Sequence, residues 1–281
     1  MTKVAVVTDS TGYIPKDLID QYNIPVTPLV LIWGEETLRD DVDIKPTEFY
    51  NRLKTAETIP STSQPPILEF SRIFEKLHGE GYDILSILIS SKLSGTVASA
   101  EQAKQALPEA NIEIFDSETT AMALGFQVLA VVRAAAEGAS MAECLAIAEK
   151  ARENSGILFA VDTLEFLHRG GRIGGASRYL GTALQLKPLL TLEEGKIEAL
   201  ERVRTKKKAH ARLSEIVVER LAGRPNIRLA TLHANAAEDA NALLDMTCSH
   251  LDVVEKVYSE VSPVIGTHVG PGTVGLAYIH D

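Results

Sequence analysis

A strand followed by a helix occurs four times in the first 137 residues, and this repetition constrains the fold more than any other feature. The apolar runs at 4–8, 26–33, 84–89 and 111–115 predict strands, and amphipathic or apolar segments at 15–22, 47–54, 98–107 and 121–137 predict the helices that follow them. Strand-then-helix units in succession indicate a parallel sheet with helices on its faces. We therefore predict an N-terminal α/β sandwich.

The pattern changes after Asn154-Ser155-Gly156. A strand at 157–161 is followed by two strands that flank Glu193-Glu194-Gly195, a hairpin signal, and three further strands alternate with two helices up to residue 281. This order predicts an α+β unit with a mixed or antiparallel sheet. We therefore divide the chain into an N-terminal domain, 1–155, and a C-terminal domain, 156–281.

Composition narrows the function classes. The net charge of −10 argues against a general nucleic-acid binder, which needs a basic surface. Cys144 and Cys248 are the only cysteines and lie far apart, so neither a disulfide framework nor a zinc site is indicated, and a reducing cytoplasm fits best. The chain opens directly into a strand, and no apolar run reaches the roughly 18 residues that span a bilayer. We expect a cytoplasmic protein with no membrane span.

A hydroxyl-rich loop, residues 90–100, joins the predicted strand at 84–89 to the next helix. The first N–H groups of a helix lack intrahelical partners and carry partial positive charge, so this junction can bind a carboxylate or phosphate. Gly95 leaves the backbone open to a ligand, and Ser94 and Thr96 add hydroxyl donors. The alternative is that Ser94 is merely the helix N-cap.

Two other polar junctions carry candidate ligand-binding residues. Thr62 and Ser63 lie in a loop at 59–66 whose three prolines predict a rigid, non-helical backbone; an ordinary turn is the alternative. His268 lies in a second glycine-rich junction at 265–273. A histidine there can hydrogen-bond an anion or transfer a proton, although a lone histidine is usually a satisfied polar side chain.

Arginines mark two more segments. The glycine cluster at 170–175 contains Arg172 and lacks the Gly-x-Gly-x-x-Gly spacing, and no Gly-x-x-x-x-Gly-Lys-Ser/Thr occurs in the chain, so a nucleotide-hydrolysing protein is rejected. Arg172 is interpreted as a recognition residue, with plain helix termination as the alternative. Arg202 and Arg204 belong to a basic island at 202–208, for which a solvated face is the alternative.

Seven motifs occur in order along nearly the whole chain. They are Val7-Thr-Asp-Ser-Thr, Thr62-Ser-Gln-Pro, Ser90-Ser-x-x-Ser-Gly-Thr-x-x-Ser-Ala, Phe115-Asp-Ser, Gly171-Arg-Ile, Arg202-Val-Arg-Thr-Lys-Lys-Lys and His268-x-Gly-Pro-Gly. Together they resemble the DegV family of bacterial fatty-acid-binding proteins. Each motif alone is weak, but seven in order are specific. One departure is Pro66, where many members of that family have a small residue.

The resemblance implies a two-domain α/β protein that encloses one long-chain fatty acid, C14–C18, between its domains without a metal or other cofactor. It implies that the carboxylate is held by Thr62, Ser63, Ser94, Gly95, Thr96 and His268. It further implies a carrier without its own ATP site, which presents the carboxylate to a fatty acid kinase subunit for acyl-phosphate formation and phospholipid synthesis. Arg172, Arg202 and Arg204 resemble the surface that meets this kinase. The rival hypothesis is a hydrolase or transferase that uses Ser94 and His268 on a small anionic substrate.

Overall fold

The computed structural model describes residues 3–180 and 186–281, and within these ranges the chain forms thirteen strands, ten α-helices and two short 3-10 helices, Ser10–Gly12 and Gly174–Tyr179. The first half contains β1 Val4–Asp9, α1 Lys16–Tyr22, β2 Val26–Thr27, β3 Val30–Trp33, β4 Glu36–Arg39, α2 Pro46–Leu53, β5 Ser61–Ser63, α3 Ile67–Gly79, β6 Asp83–Leu88, α4 Thr96–Gln105, β7 Ile112–Asp116, α5 Ala121–Ala136 and α6 Met141–Glu153. The second half contains β8 Ser155–Ala160, α7 Glu165–Arg169, β9 Lys187–Glu193, β10 Lys196–Val203, α8 Lys206–Leu221, β11 Ile227–His233, α9 Ala237–Cys248, β12 Val253–Val257, α10 Pro263–Val269 and β13 Val274–Ile279.

The predicted parallel sheet of the first half is confirmed. Its strands lie in the order β2-β1-β6-β7, and every neighbouring pair is parallel. Helices α3 and α4 cover one face, where Phe70 and Phe74 are fully buried in one cluster with Ile84. Because the other face is also covered, the central strand β6 is apolar at nearly every position.

The single strand predicted at 26–33 is wrong. Pro28 separates two strands there: β2 joins the parallel sheet, whereas β3 pairs antiparallel with β4 and with β5 in a separate three-stranded sheet. Proline has no N–H to continue a ladder, so the chain leaves the first sheet at this residue. The proline-rich segment at 59–66, predicted as a loop, contains β5 in its middle.

The mixed sheet predicted for the second half is also confirmed. Its six strands lie in the order β10-β9-β8-β13-β11-β12, and all pairs are antiparallel except β11 with β12. The hairpin predicted around Glu193-Glu194-Gly195 is formed by β9 and β10. Helices α8 and α9 cover one face of this sheet, with Leu213 and Leu243 fully buried.

Helix α5 lies between the two larger sheets and contacts β1 on one side and β13 on the other. Of its 16 residues, 11 are buried, which explains why its sequence is apolar around the whole circumference. It joins the two halves through one continuous core, and the division at residue 155 remains a prediction. No helix within residues 3–180 and 186–281 is both long enough and apolar enough to cross a membrane.

Candidate ligand-binding site

A cavity with about 730 Å³ of space between protein atoms, part of it open to solvent, lies between the two halves. Most of its wall is apolar and is supplied by both halves: Leu29, Ile89, Leu93, Ala121, Ile157, Phe159, Leu167, Leu192, Ile197, Leu232, Val264, Ile265 and Val269. The polar side chains on its wall are those of Thr62, Ser63, Gln64, Ser94, Thr120, Arg172 and His268.

Thr62 and His268 meet at the cavity although they are 206 residues apart in the sequence. The Thr62 Oγ1 lies 2.7 Å from Nε2 of His268, which joins β5 to α10. Thr62 is placed by its pairing with Leu31 of β3, and Ser63 follows it in register with Val30. The three-stranded sheet that the sequence did not predict therefore carries the threonine to the histidine.

The hydroxyl loop follows β6 as predicted, and its serine is not the helix cap. Gly95 is the N-cap residue of α4 and makes no side-chain cap bond, so the alternative interpretation of Ser94 is wrong. The Ser94 hydroxyl lies 2.8 Å from Oγ1 of Thr96, which is fully buried. Of the three predicted residues in this loop, Ser94 borders the cavity. Gly95 and Thr96 do not line it, and they follow Ser94 at the start of α4.

Arg172 borders the cavity because of how α7 ends. Gly171 has a φ of +70°, and the N–H groups of Gly171 and Arg172 bond back to the carbonyls of His168 and Leu167, a helix-terminating Schellman arrangement. The half-buried guanidinium then donates from Nε to the Leu93 carbonyl at 3.0 Å and from Nη1 to the Gly170 carbonyl at 2.6 Å. Helix termination and the placing of a cation at the cavity are therefore the same feature.

His268 is held as a neutral imidazole. Burial, and next the charge of Arg172, lower the pKa of His268 from 6.5 to about 4. Its Nδ1 is buried with no hydrogen-bond partner among the described residues and packs against Gly170, where an added Cβ would lie 2.1 Å from that nitrogen. Ser94 and His268 each bond to a threonine, so the structure does not show the nucleophile–base contact that a hydrolase would need.

The two remaining predicted arginines lie away from the cavity. Arg202 and Arg204 are exposed at the end of β10, and neither is among the residues that line the cavity. The Arg202 guanidinium lies 4.6 Å from the centre of the Tyr179 ring, a cation–π distance. Their role in partner binding stays a prediction.

Asp40 is a site-supporting residue that sequence analysis missed. It is fully buried, and its carboxylate accepts from Ser10 Oγ at 2.7 Å and from the Val264 N–H in the first turn of α10 at 3.0 Å. It thereby fixes the helix that carries His268. Burial raises the pKa of Asp40 to about 6. Metal-ligating side chains in the described part of the chain form no group of three or more.

A second pocket adjoins the polar residues from the outside. It shares Thr62, Arg172 and His268 with the cavity, and Arg169 and Phe166 border it as well. Arg169 is paired with Glu165 one helical turn away. The polar side chains therefore stand between an apolar interior and a surface pocket that contains two cationic groups.

Comparisons with known proteins agree with this architecture. The model of the DegV family, described as uncharacterised proteins, matches residues 3–281. A DegV domain-containing protein of Clostridium perfringens is 39% identical over 282 residues, covering 99% of each chain. A DegV family protein from Thermus thermophilus, described as binding fatty acid, has a TM-score of 0.95 at 38% identity, with 100% of each chain covered. DegV of Bacillus subtilis, described as a fatty acid binding protein, has a TM-score of 0.89 at 34% identity, again over 100% of each chain. The chain belongs to the DegV family.

Proposed function

We propose that this protein binds one long-chain fatty acid, C14–C18, non-covalently in the cavity between its two halves. The observation that carries the proposal is a cavity with apolar walls that is also lined by hydroxyl, imidazole and guanidinium side chains, among which Thr62 and His268 bond to each other. The fatty-acid-binding relatives from Thermus thermophilus and Bacillus subtilis support it, because their folds match over the whole chain.

The apolar wall accounts for affinity. At about 0.8 kcal/mol per buried CH₂, a C16 tail supplies on the order of 10 kcal/mol before the costs of ordering the ligand. Residues from both halves share this contact, including Ile89 and Phe159. Tight retention therefore needs no covalent bond, and the tail can lie only where both halves are in place.

The polar residues account for orientation. In this proposal His268 donates from Nε2 to Thr62, and the freed Thr62 proton and the Ser94 hydroxyl donate to the carboxylate. Arg172 has guanidinium donors beyond the two that bond carbonyls, and it balances the carboxylate charge. Ser63 completes this end from β5, and Gly95 and Thr96 complete it from the start of α4, where the helix dipole favours an anion.

We further propose that the protein is a carrier rather than an enzyme and that it presents the carboxylate to a separate fatty acid kinase subunit. A carboxylate oxygen would attack the γ-phosphorus of ATP held by that subunit, releasing ADP and forming an acyl-phosphate for phospholipid synthesis. The outer pocket supports this route because it reaches Thr62 and His268 from the surface. Exposed Arg202 and Arg204 would dock the kinase, and Arg172 would face both ligand and partner. The proposal includes a cytoplasmic location, where Cys144 and Cys248, both free thiols here, stay reduced.

Titration of delipidated protein with hexadecanoic acid tests the ligand assignment. Ser94→Ala removes a hydroxyl donor to a charged oxygen, which should weaken binding by roughly 1.5 to 3 kcal/mol, or tens-fold. Ser91→Ala is the matched control, because Ser91 is exposed in the same loop and bonds to Asp116 through its backbone N–H. Equal affinities for both variants and the unmodified protein would contradict the proposed carboxylate site.

A further inference from the structure

Two buried side-chain atoms of residues that line the cavity have no hydrogen-bond partner in the part of the chain that the structure describes. One is Nδ1 of His268, which lies among the proposed carboxylate residues. The other is the hydroxyl of Thr120, a residue that is only 6% exposed. Buried polar atoms almost always have partners, so an unpaired hydroxyl on a residue of the cavity wall is available to pair with a ligand atom.

Thr120 also stands at the start of the most deeply buried helix. It is the N-cap residue of α5, and its side chain makes no bond to the N–H groups of the first turn. Those groups therefore keep their partial positive charge at a place where water is largely excluded. The 16-residue helix and the unpaired hydroxyl are separate observations, and both favour an oxygen atom at this point.

Thr120 belongs to the mostly apolar wall of the cavity. Further along α5, Gln127 Nε2 donates to Ser155 Oγ at the beginning of β8, so α5 runs alongside that strand. The next residues of β8 include Ile157 and Phe159, which line the cavity together with Ala121 beside Thr120. Thr120 therefore shares the cavity wall with apolar residues that would contact an acyl chain.

We infer that Thr120 and the start of α5 form a polar subsite that binds an oxygen substituent on the acyl chain, so that the ligand class includes hydroxylated long-chain fatty acids. The inference rests on the proposed function, which supplies the acyl chain. A hydroxyl on the ligand can donate to Thr120 Oγ1 or accept from it. A plain methylene at the same place leaves Thr120 unpaired.

The test uses octadecanoic acid and a series of monohydroxy-octadecanoic acids with the hydroxyl at different carbons, each titrated into delipidated protein. At one position in the series, Thr120→Val should lower the affinity for the hydroxylated acid by roughly 2- to 12-fold, the effect of one neutral hydrogen bond. Affinity for octadecanoic acid should stay the same or improve. Thr120→Ser keeps the hydroxyl and should retain the discrimination.

Thr119→Val is the matched control. Thr119 is equally buried, and its Oγ1 also lacks a partner in the described ranges, but Thr119 does not line the cavity. It should leave the discrimination among acids unchanged. The inference is overturned if Thr120→Val shifts all the acids equally or none of them, as a resident water bonded to Thr120 would produce. Failure of octadecanoic acid itself to bind would instead refute the proposed function.

Discussion

Replacing Thr62 with valine removes the hydroxyl that contacts His268 while nearly keeping the shape of the side chain. Without ligand, the change takes away the 2.7 Å contact to Nε2. Because Nδ1 has no partner within residues 3–180 and 186–281, neither ring nitrogen is then paired there. Leaving a buried polar atom unsatisfied costs about 1 to 3 kcal/mol. We therefore expect Thr62→Val to lower the free energy of unfolding of the delipidated protein by that amount.

The same variant should lose affinity for a fatty acid through a different contact. Its hydroxyl is proposed to donate to the carboxylate, and a hydrogen bond to a charged group contributes about 1.5 to 3 kcal/mol, equivalent to roughly 10- to 150-fold in Kd. Thr62→Ser keeps the hydroxyl and is the matched control. Chemical denaturation gives the first quantity and displacement of a fluorescent fatty acid the second. Wild-type affinity in Thr62→Val, or an equal loss in Thr62→Ser, would refute this account of the carboxylate site.

Three further predictions concern charge. Arg202→Ala and Arg204→Ala should leave fatty-acid affinity unchanged and slow acyl-phosphate formation by the kinase, and this defect should shrink as salt rises. Arg172→Ala should instead reduce both the fatty-acid affinity and the rate of acyl-phosphate formation. Parallel titrations and coupled assays check these outcomes, and lost lipid binding in Arg202→Ala would contradict them. The imidazole of His268 should stay neutral down to about pH 4 in delipidated protein and should titrate at higher pH once a carboxylate is bound. NMR can measure this titration, and a midpoint near pH 6.5 without ligand would contradict the prediction. Asp40 keeps its proton to about pH 6 in the folded protein but only to pH 3.8 in the unfolded chain, so its contribution to stability falls as pH rises through this window. Relative to Asp40→Asn, the wild type should gain up to about 3 kcal/mol in unfolding free energy when the pH is lowered from 7 to 4. A difference in unfolding free energy between the two proteins that does not change with pH would contradict this prediction.

The order of strands and helices could be predicted because their apolar periodicities are local. The break at Pro28 could not, since an apolar run with one proline still satisfies a strand pattern, and only the pairing of β3 with β4 and β5 shows where the chain goes. That pairing is what carries Thr62 to His268. Polar site residues stood out in the sequence because hydroxyls and histidine are conspicuous beside strand ends.

The remaining site residues have no distinguishing sequence signal. Ile157 and Phe159 line the cavity, yet in the sequence they look like any buried strand residues. Arg172 was assigned only to a partner surface, because nothing in a glycine-rich helix end tells which way the next side chain turns. Thr120 directly precedes the helix predicted at 121–137, and its unpaired hydroxyl appears only when its described neighbours are in place.

The central claim is that one long-chain fatty acid occupies the cavity between the two halves. Protein purified from cells without added lipid, extracted in denaturing solvent and analysed by mass spectrometry, tests it most directly. The account predicts about one C14–C18 acid per chain, and much less from Ile157→Trp, in which a bulkier side chain fills the cavity while the carboxylate residues stay intact. An unfolded Ile157→Trp variant would be recognised by its thermal melting and replaced by Ile197→Trp at the same cavity. Release of no fatty acid from the wild type, together with no binding when the acid is added back, would contradict the account.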